Sequence, residues 1–279
     1  PVLRSNPDSA LKVMNNLFLK FEAKNEAKYL SYLSTSYGQY YRRMGNFEKA
    51  IQSHKKAIDY AENHYLKNET ELLPRIIASQ YNSIAVINFD RSEYDLSNQF
   101  ALKALKIANQ HNIKQLEGAS NIILGNIQMH YNQLDLAQKS FQNALYLAKD
   151  VKDVFREGVA LANLGIINLQ LLESKPKDKT AYQNAKKYFN AALEIAKKQK
   201  DNTAISTRYS NLANTENVVG NFENAEKYIF EALKFADFAN SKVLSLQLST
   251  TLARNYFNMG NTKLAIETAN KGLKMSKDI

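Results

Sequence analysis

The residue types that usually carry out chemistry are few in this chain and poorly spaced for it. Four histidines (His54, His64, His111 and His130) fall in separate segments with no metal-ligand spacing among them. Cysteine is absent, which removes disulfides, thiolate ligands and thiol nucleophiles. No HExxH, no GxSxG and no phosphate-cradling glycine loop occurs. Aspartates and glutamates are scattered in the way solvated helix faces require. The expectation is a chain with no catalytic residue, no metal and no cofactor, and so not an enzyme. What it does carry in quantity is asparagine, whose side-chain amide both donates and accepts and can pair with one peptide unit of another chain.

Elements must position those amides, and the composition says which. Apolar residues make up 44 % of 279 residues, enough for a sizeable core. Only 9 Gly and 4 Pro are present, the prolines at 1, 7, 74 and 176, so long stretches run without a breaker. A recurring frame of small residues organises them. Gly38, Ala85, Gly125, Gly165, Ala213 and Ala253 form a first set, followed by Ala50, Ser97, Ala137, Ala185, Ala225 and Ala265. The separation is 12 residues in five pairs and 20 in the fourth, and a third set (Ala57, Ala104, Ala144, Ala192, Ala232, Gly272) follows seven residues later. Antiparallel helices approach closely only where the crossing side chains are small. The frame therefore predicts helix pairs, with the first set on helix A and the other two on helix B, and Gly165 crossing Ala185 and Ala192. Gly45-Asn46, Gly220-Asn221 and Gly260-Asn261 read as turns, in which Gly ends helix A in a left-handed cap and Asn caps helix B.

Tyr37-Gly38, Tyr41, Ala50 and Ala57, then Leu124-Gly125, Ala137, Phe141 and Ala144, then Leu164-Gly165, Ala185, Phe189 and Ala192 resemble the tetratricopeptide repeat. The resemblance implies an all-α fold, a right-handed α-solenoid of antiparallel helix pairs. The period is 40 residues rather than the usual 34 or so, and neither Trp nor a repeat-ending Pro is present. Six more residues per repeat add about 9 Å of helix, which resembles the long-helix variants of bacterial regulatory proteins and kinesin light chains.

Read in this frame, the chain is one array. Residues 6–30 are helix B of a truncated repeat, opened by Asn6-Pro7-Asp8 as a cap, a first-turn proline and a dipole-favoured acid. Repeats follow at 31–77, 78–117, 118–157, 158–205, 206–245 and 246–279. The end helices lack capping partners, so an excised segment of a longer protein is expected, with self-association through the uncapped ends. Two irregularities stand out: extra residues around Lys67-Asn68-Glu69-Thr70, and an eight-residue excess in the fourth repeat. The latter reads as a charged surface loop within 171–180 between its two helices.

In the resembled family, helices A line a concave groove that holds a protein or an extended peptide. Its inner positions fall here on Gln39, Arg42, Asn82, Asn126, Asn163, Asn211, Asn214 and Arg254, with Asn258 beyond. An asparagine ladder along this face would read backbone rather than sequence, as in kinesin light chains. Each pair is worth about 0.5–1.5 kcal/mol, so several are needed. The alternative is that the same amides satisfy neighbouring helices. Lysines Lys55, Lys56, Lys103, Lys106, Lys186, Lys187, Lys197, Lys198, Lys234, Lys271 and Lys274 account for much of a net charge of +10, but they are interleaved with Glu and lack a stacking platform. No specific nucleic-acid partner is expected, and no membrane span occurs in this segment. The resulting expectation is a peptide- or protein-binding domain, the sensor or regulatory part of a larger bacterial signalling or transcription-regulatory protein. The alternatives are a structural adaptor that assembles a complex, and nucleic-acid binding through a basic convex face. A cytoplasmic location is favoured, or a periplasmic one if the parent protein is a membrane sensor.

Overall fold

Thirteen helices make up the secondary structure of the computed structural model, which describes residues 7–65 and 72–276. In chain order they are α1 Pro7–Ala23, α2 Ala27–Arg43, α3 Phe47–Tyr65, α4 Leu72–Asp90, α5 Tyr94–Gln110, α6 Lys114–His130 and α7 Leu134–Asp150. Then follow α8 Val154–Ser174, α9 Lys179–Gln199, α10 Asn202–Val218, α11 Phe222–Phe238, α12 Lys242–Asn258 and α13 Thr262–Ser276. No strand occurs among the described residues. The fold is all-α, a tetratricopeptide-type solenoid of antiparallel pairs in which each helix packs chiefly on its neighbours in sequence. The chain divides into two compact units, Pro1–Val151 and Lys152–Ile279. Asn6 and the Lys67–Thr70 segment lie outside the described residues. Among the described residues, no helix is long and apolar enough to cross a membrane.

The small-residue frame holds up as packing. All eighteen frame positions are buried except Ala253, which is half-buried. At the three glycines of the first set the smallness has a definite partner, and it is an aromatic ring. In unit 1, a Cβ built on Gly125 would lie 2.7 Å from the ring of Phe141, and one on Gly38 would lie 2.4 Å from Nε2 of His54. In unit 2, the group above Gly165 is Phe189, 2.5 Å from such a Cβ; the sequence reading had placed Ala185 and Ala192 there. In these three repeats the ring of helix B thus closes onto the bare backbone of helix A, and a Cβ there would overlap it. Seven residues before the frame residue, Ser31 donates to the Ala57 carbonyl at 2.7 Å in unit 1, and Ser206 to the Ala232 carbonyl at 2.8 Å in unit 2. The same hydroxyl bond therefore ties A to B in two different repeats.

The links are short because left-handed residues close them. Gly45, Gly220 and Gly260 have φ of +71°, +80° and +78°, as their turns require. At the first turn, the Asn46 amide reaches back to the Tyr41 carbonyl at 2.8 Å and that of Gly45 to the Arg42 carbonyl at 3.1 Å, the double closure of a Schellman cap. Asn46 and Asn261 then cap the following helix through their Oδ1 atoms, accepting from the amides of Lys49 and Leu264 at 3.2 Å each. Asn221 does not; its Nδ2 donates to Glu216 instead. Elsewhere the left-handed residue is Asn25, Ser92, Asn112, Asn132, Lys152, Lys200 or Asn240, a set the glycine-based reading missed.

The eight-residue excess of the fourth repeat is not a loop. Helices α8 and α9 are 21 residues long against 17 for α10 and α11, so each takes up four of the extra residues, about one turn. Glu173, Ser174 and Lys179 are helical, which leaves a link of 175–178. Pro176 can enter that link only because Lys175 has left the helix, and Asp178 restarts α9 by accepting from the amides of Thr180 and Ala181 at 2.9 Å.

Candidate functional site

The helix-A side chains fall into two groups according to what they already touch. In unit 1, Asn82 of α4 is buried and committed. Its Nδ2 donates to the Leu116 carbonyl at 3.3 Å, and its Oδ1 accepts from Ser120 at 2.9 Å. Here the alternative reading applies, since the amide joins α4 to α6 instead of standing open. Arg42 is exposed and pairs with Asp90 at 2.7 Å, a surface ion pair worth at most about 1 kcal/mol. Gln39 is exposed and Asn126 half-buried.

Of the histidines, His54 is the buried one, whereas His130 stacks on the ring of Tyr94 at the surface. His54 fills the place that Phe141 and Phe189 fill in their repeats, is 1 % exposed, and its Nδ1 lies 2.7 Å from Oε1 of Gln80. Burial pulls its pKa below the ordinary value. The bond to Gln80 opposes the shift, and the charge of Arg42 adds to it. Among the described residues, no group of three or more His, Asp or Glu comes together as a metal site.

In unit 2, α10 divides its faces sharply. Towards α9 and α11 it buries Ile205, Ser206, Leu212, Ala213 and Glu216. Glu216, whose side chain is 1 % exposed, accepts from Lys186 at 2.7 Å, from Tyr182 at 3.1 Å to both oxygens, and from Asn221 at 2.9 Å. Burial alone would depress the Lys186 ammonium, but its bonds to Glu216 and Tyr182 more than reverse this and hold it well above the usual lysine value. One repeat on, Tyr256 donates to Glu226 at 2.7 Å, and burial together with that bond pushes its phenol up to about 12.

The remaining face of α10 carries Arg208, Asn211, Asn214 and Asn217, all half-buried. Nδ2 of Asn211 and Oδ1 of Asn217 are enclosed yet have no hydrogen-bond partner, and the same is true of Oε1 of Gln170 on α8 and of Oδ1 of the fully buried Asn255 on α12. Buried polar atoms are nearly always paired, so these are exceptions within the packing. Those of Asn211 and Asn217 lie six residues and about 120° apart on α10, whereas Oδ1 of Asn211 and the amide of Asn214 are unbonded without being enclosed. Asn163 of α8 is half-buried, and Arg254 of α12 is exposed. Gln170, Asn217 and Arg208 were not among the candidates read from the sequence. Gln170 and Asn217 sit at the end of helix A, where the offset pattern gives no cue to which amide is left over once the helices have packed.

The sequence model of the tetratricopeptide repeat matches residues 34–64 and 246–279. Solved structures share the fold over nearly the whole chain. The apo form of RapI superposes with a TM-score of 0.70 at 18 % identity, covering 98 % of this chain and 93 % of that one. A STAND signal-transduction ATPase with a tetratricopeptide repeat sensor, from Pyrococcus horikoshii, gives 0.71 at 19 %, covering 99 % of this chain but 40 % of that one. The Rap conjugation gene regulator of plasmid pLS20, in complex with the Phr* peptide, gives 0.62 at 16 %, covering 89 % and 74 %. At such identities the likeness is one of fold. No curated protein matches the sequence.

Proposed function

We propose that this chain, built of tetratricopeptide repeats, is a non-catalytic domain that holds an extended polypeptide against its helices A, as the sensor or regulatory part of a larger signalling or transcription-regulatory protein. The observation that carries the reading is the pair of half-buried amides Asn211 and Asn214 on α10: Oδ1 of Asn211 and both Oδ1 and Nδ2 of Asn214 make no hydrogen bond among the described residues and are not enclosed. An extended main chain offers a donor and an acceptor at every residue, so one segment can satisfy both kinds of orphan at once. Asn214 and Arg254 complete the proposed lining in unit 2, and Gln39 serves the same role in unit 1; Arg42 is held by Asp90, and Asn126 and Asn163 already interact within the chain. Asn82 is left out because its amide is already used. The reading is supported by analogy with the pLS20 Rap regulator, solved with a peptide, and with the Pyrococcus ATPase, whose repeats are described as a sensor.

The test is the double substitution Asn211→Ala with Asn214→Ala, measured against peptides selected from a random twelve-residue library on the native protein. Loss of two backbone pairs should weaken binding by about 2–3 kcal/mol, while the melt stays within about 0.5 kcal/mol of native. Unaltered binding with a lowered melting temperature would mean that the amides serve the helices instead.

A further inference from the structure

The joint between helix B of the first repeat and helix A of the second is built from polar groups where its counterparts are apolar. His54 stands four residues after the frame residue of α3, a position that holds Ala101, Phe141, Phe189, Ile229 and Ala269 in the other repeats. Gln80 stands five residues before the frame residue of α4, where α12 has Leu248. In unit 2, Ile229 and Leu248 fill these two positions within one buried apolar cluster. In unit 1 an imidazole that is 1 % exposed meets an amide that is 4 % exposed, at 2.7 Å. Oε1 of Gln80 can only accept, so Nδ1 of His54 carries the proton and Nε2 is the bare nitrogen. Nε2 faces the Gly38 backbone, 2.4 Å from where a Cβ would stand, and a proton taken up in acid must go there.

The helices around the ring supply no charge to balance that proton. Helix α2 has no acidic residue; its cations are Lys28, Arg42 and Arg43. Helix α4 has one acid, Asp90, which Arg42 holds at 2.7 Å, and its one cation is Arg75. The acids of α3 itself, Glu48, Asp59 and Glu62, do not act on the ring, whereas the charge of Arg42 does and disfavours an imidazolium, adding to the effect of burial. Two polar ties therefore cross from the first repeat to α4, His54 to Gln80 in the interior and Arg42 to Asp90 at the surface. The cation of the second opposes protonation at the first. Beyond the joint, α4, α5 and α6 share an apolar cluster around Ala85, Ala101 and Ile127 that includes no residue of α2 or α3.

We propose that the joint between α3 and α4 is an acid-operated release, in which protonation of His54 frees α2 and α3 from α4 while the helices beyond stay packed. The proposal goes beyond the polypeptide-binding reading and does not depend on it. A histidine that is charged when the joint is open and neutral when it is closed favours the open form more as pH falls below the ordinary value of about 6.5, by up to about tenfold per pH unit.

Hydrogen exchange of the whole chain, read by mass spectrometry at about pH 7 and about pH 5 and divided by the intrinsic exchange rate at each pH, tests this. Protection of α2 and α3 should fall about tenfold at the lower pH, while that of α5 and α6 changes less than about twofold. His54→Phe with Gln80→Leu, which gives the joint the residue types found elsewhere in the frame, should abolish the difference. A loss of protection shared equally by all helices, one that persists in the double variant, or no loss at all would overturn the proposal. If the double variant does not fold, ring-proton NMR of the native chain decides. The His54 ring should stay neutral below about pH 6.5, and its titration at lower pH should be accompanied by amide shifts in α2 and α3. A ring that titrates near pH 6.5 or so with no amide change in those helices would overturn the proposal.

Discussion

Helix α6 contains two glycines seven residues apart, and the structure assigns opposite signs to the same substitution at each. A Cβ on Gly118 would meet Cβ of Leu147 at 3.6 Å and the Ala144 carbonyl at 3.8 Å, both ordinary contacts. A Cβ on Gly125 would lie 2.7 Å from two ring carbons of Phe141, about 1 Å inside contact distance. Phe141 cannot move away, because its side chain is fully buried. In either place alanine relieves about 1 kcal/mol of glycine's helix penalty. At Gly118 nothing opposes that gain, so Gly118→Ala should stabilise by about 0.5–1 kcal/mol. At Gly125 overpacking of about 1–3 kcal/mol or more acts against it, so Gly125→Ala should destabilise by about 1–2 kcal/mol net. Urea midpoints of the two variants beside the native chain measure both values. The double variant Gly125→Ala with Phe141→Leu should recover part of the loss, because the ring that clashes is gone. Equal stability of Gly125→Ala and the native chain would refute the account of how helix B sits on helix A.

His54 gives a pH signature. Its folded-state pKa is lowered by burial, so its contribution to stability is fully present above the ordinary value of about 6.5 and is lost as pH falls from there towards the lowered value. His54→Phe with Gln80→Leu, which removes both partners, should flatten the melting profile across that interval. Lys186→Met, which leaves the Glu216 carboxylate buried without its cation, should cost more than Glu216→Gln, about 2–3 against about 1–2 kcal/mol by chemical denaturation. Most lysines counted in the sequence reading are exposed and spread along the chain, so binding to generic duplex DNA should be weak and lost near physiological salt. Tight, salt-resistant binding in a gel-shift titration would count against the polypeptide reading.

Much of the fold was legible because steric exclusion writes itself into residue type. The positions of Gly38, Gly125 and Gly165 mark where two backbones must meet, and the spacing to the next small residues dictates a helix, a turn and a helix. What covers those glycines was less legible, since 16 residues separate Gly125 from Phe141 but 24 separate Gly165 from Phe189. That offset comes from the longer α8 and α9, which read as a charged loop because Glu173 to Lys179 is polar and holds a proline. Helix propensity and a cap at Asp178 prevailed over that local appearance. The candidate site was legible in part. Asparagines at helix-A offsets can be listed from the sequence, but whether an amide stays open depends on its neighbour. Asn82 finds Ser120 and the Leu116 carbonyl, whereas Asn211 finds nothing.

The account's central claim is that helices A of unit 2 hold an extended chain through Asn211 and its neighbours. A crystal structure of the whole chain with a library-selected peptide tests it most directly. The account predicts peptide density running along α8, α10 and α12, with a main-chain carbonyl accepting from Nδ2 of Asn214 and a main-chain amide donating to Oδ1 of Asn211. Peptide density on the outer surface of α9 and α11, with both amides still unpaired, would contradict it.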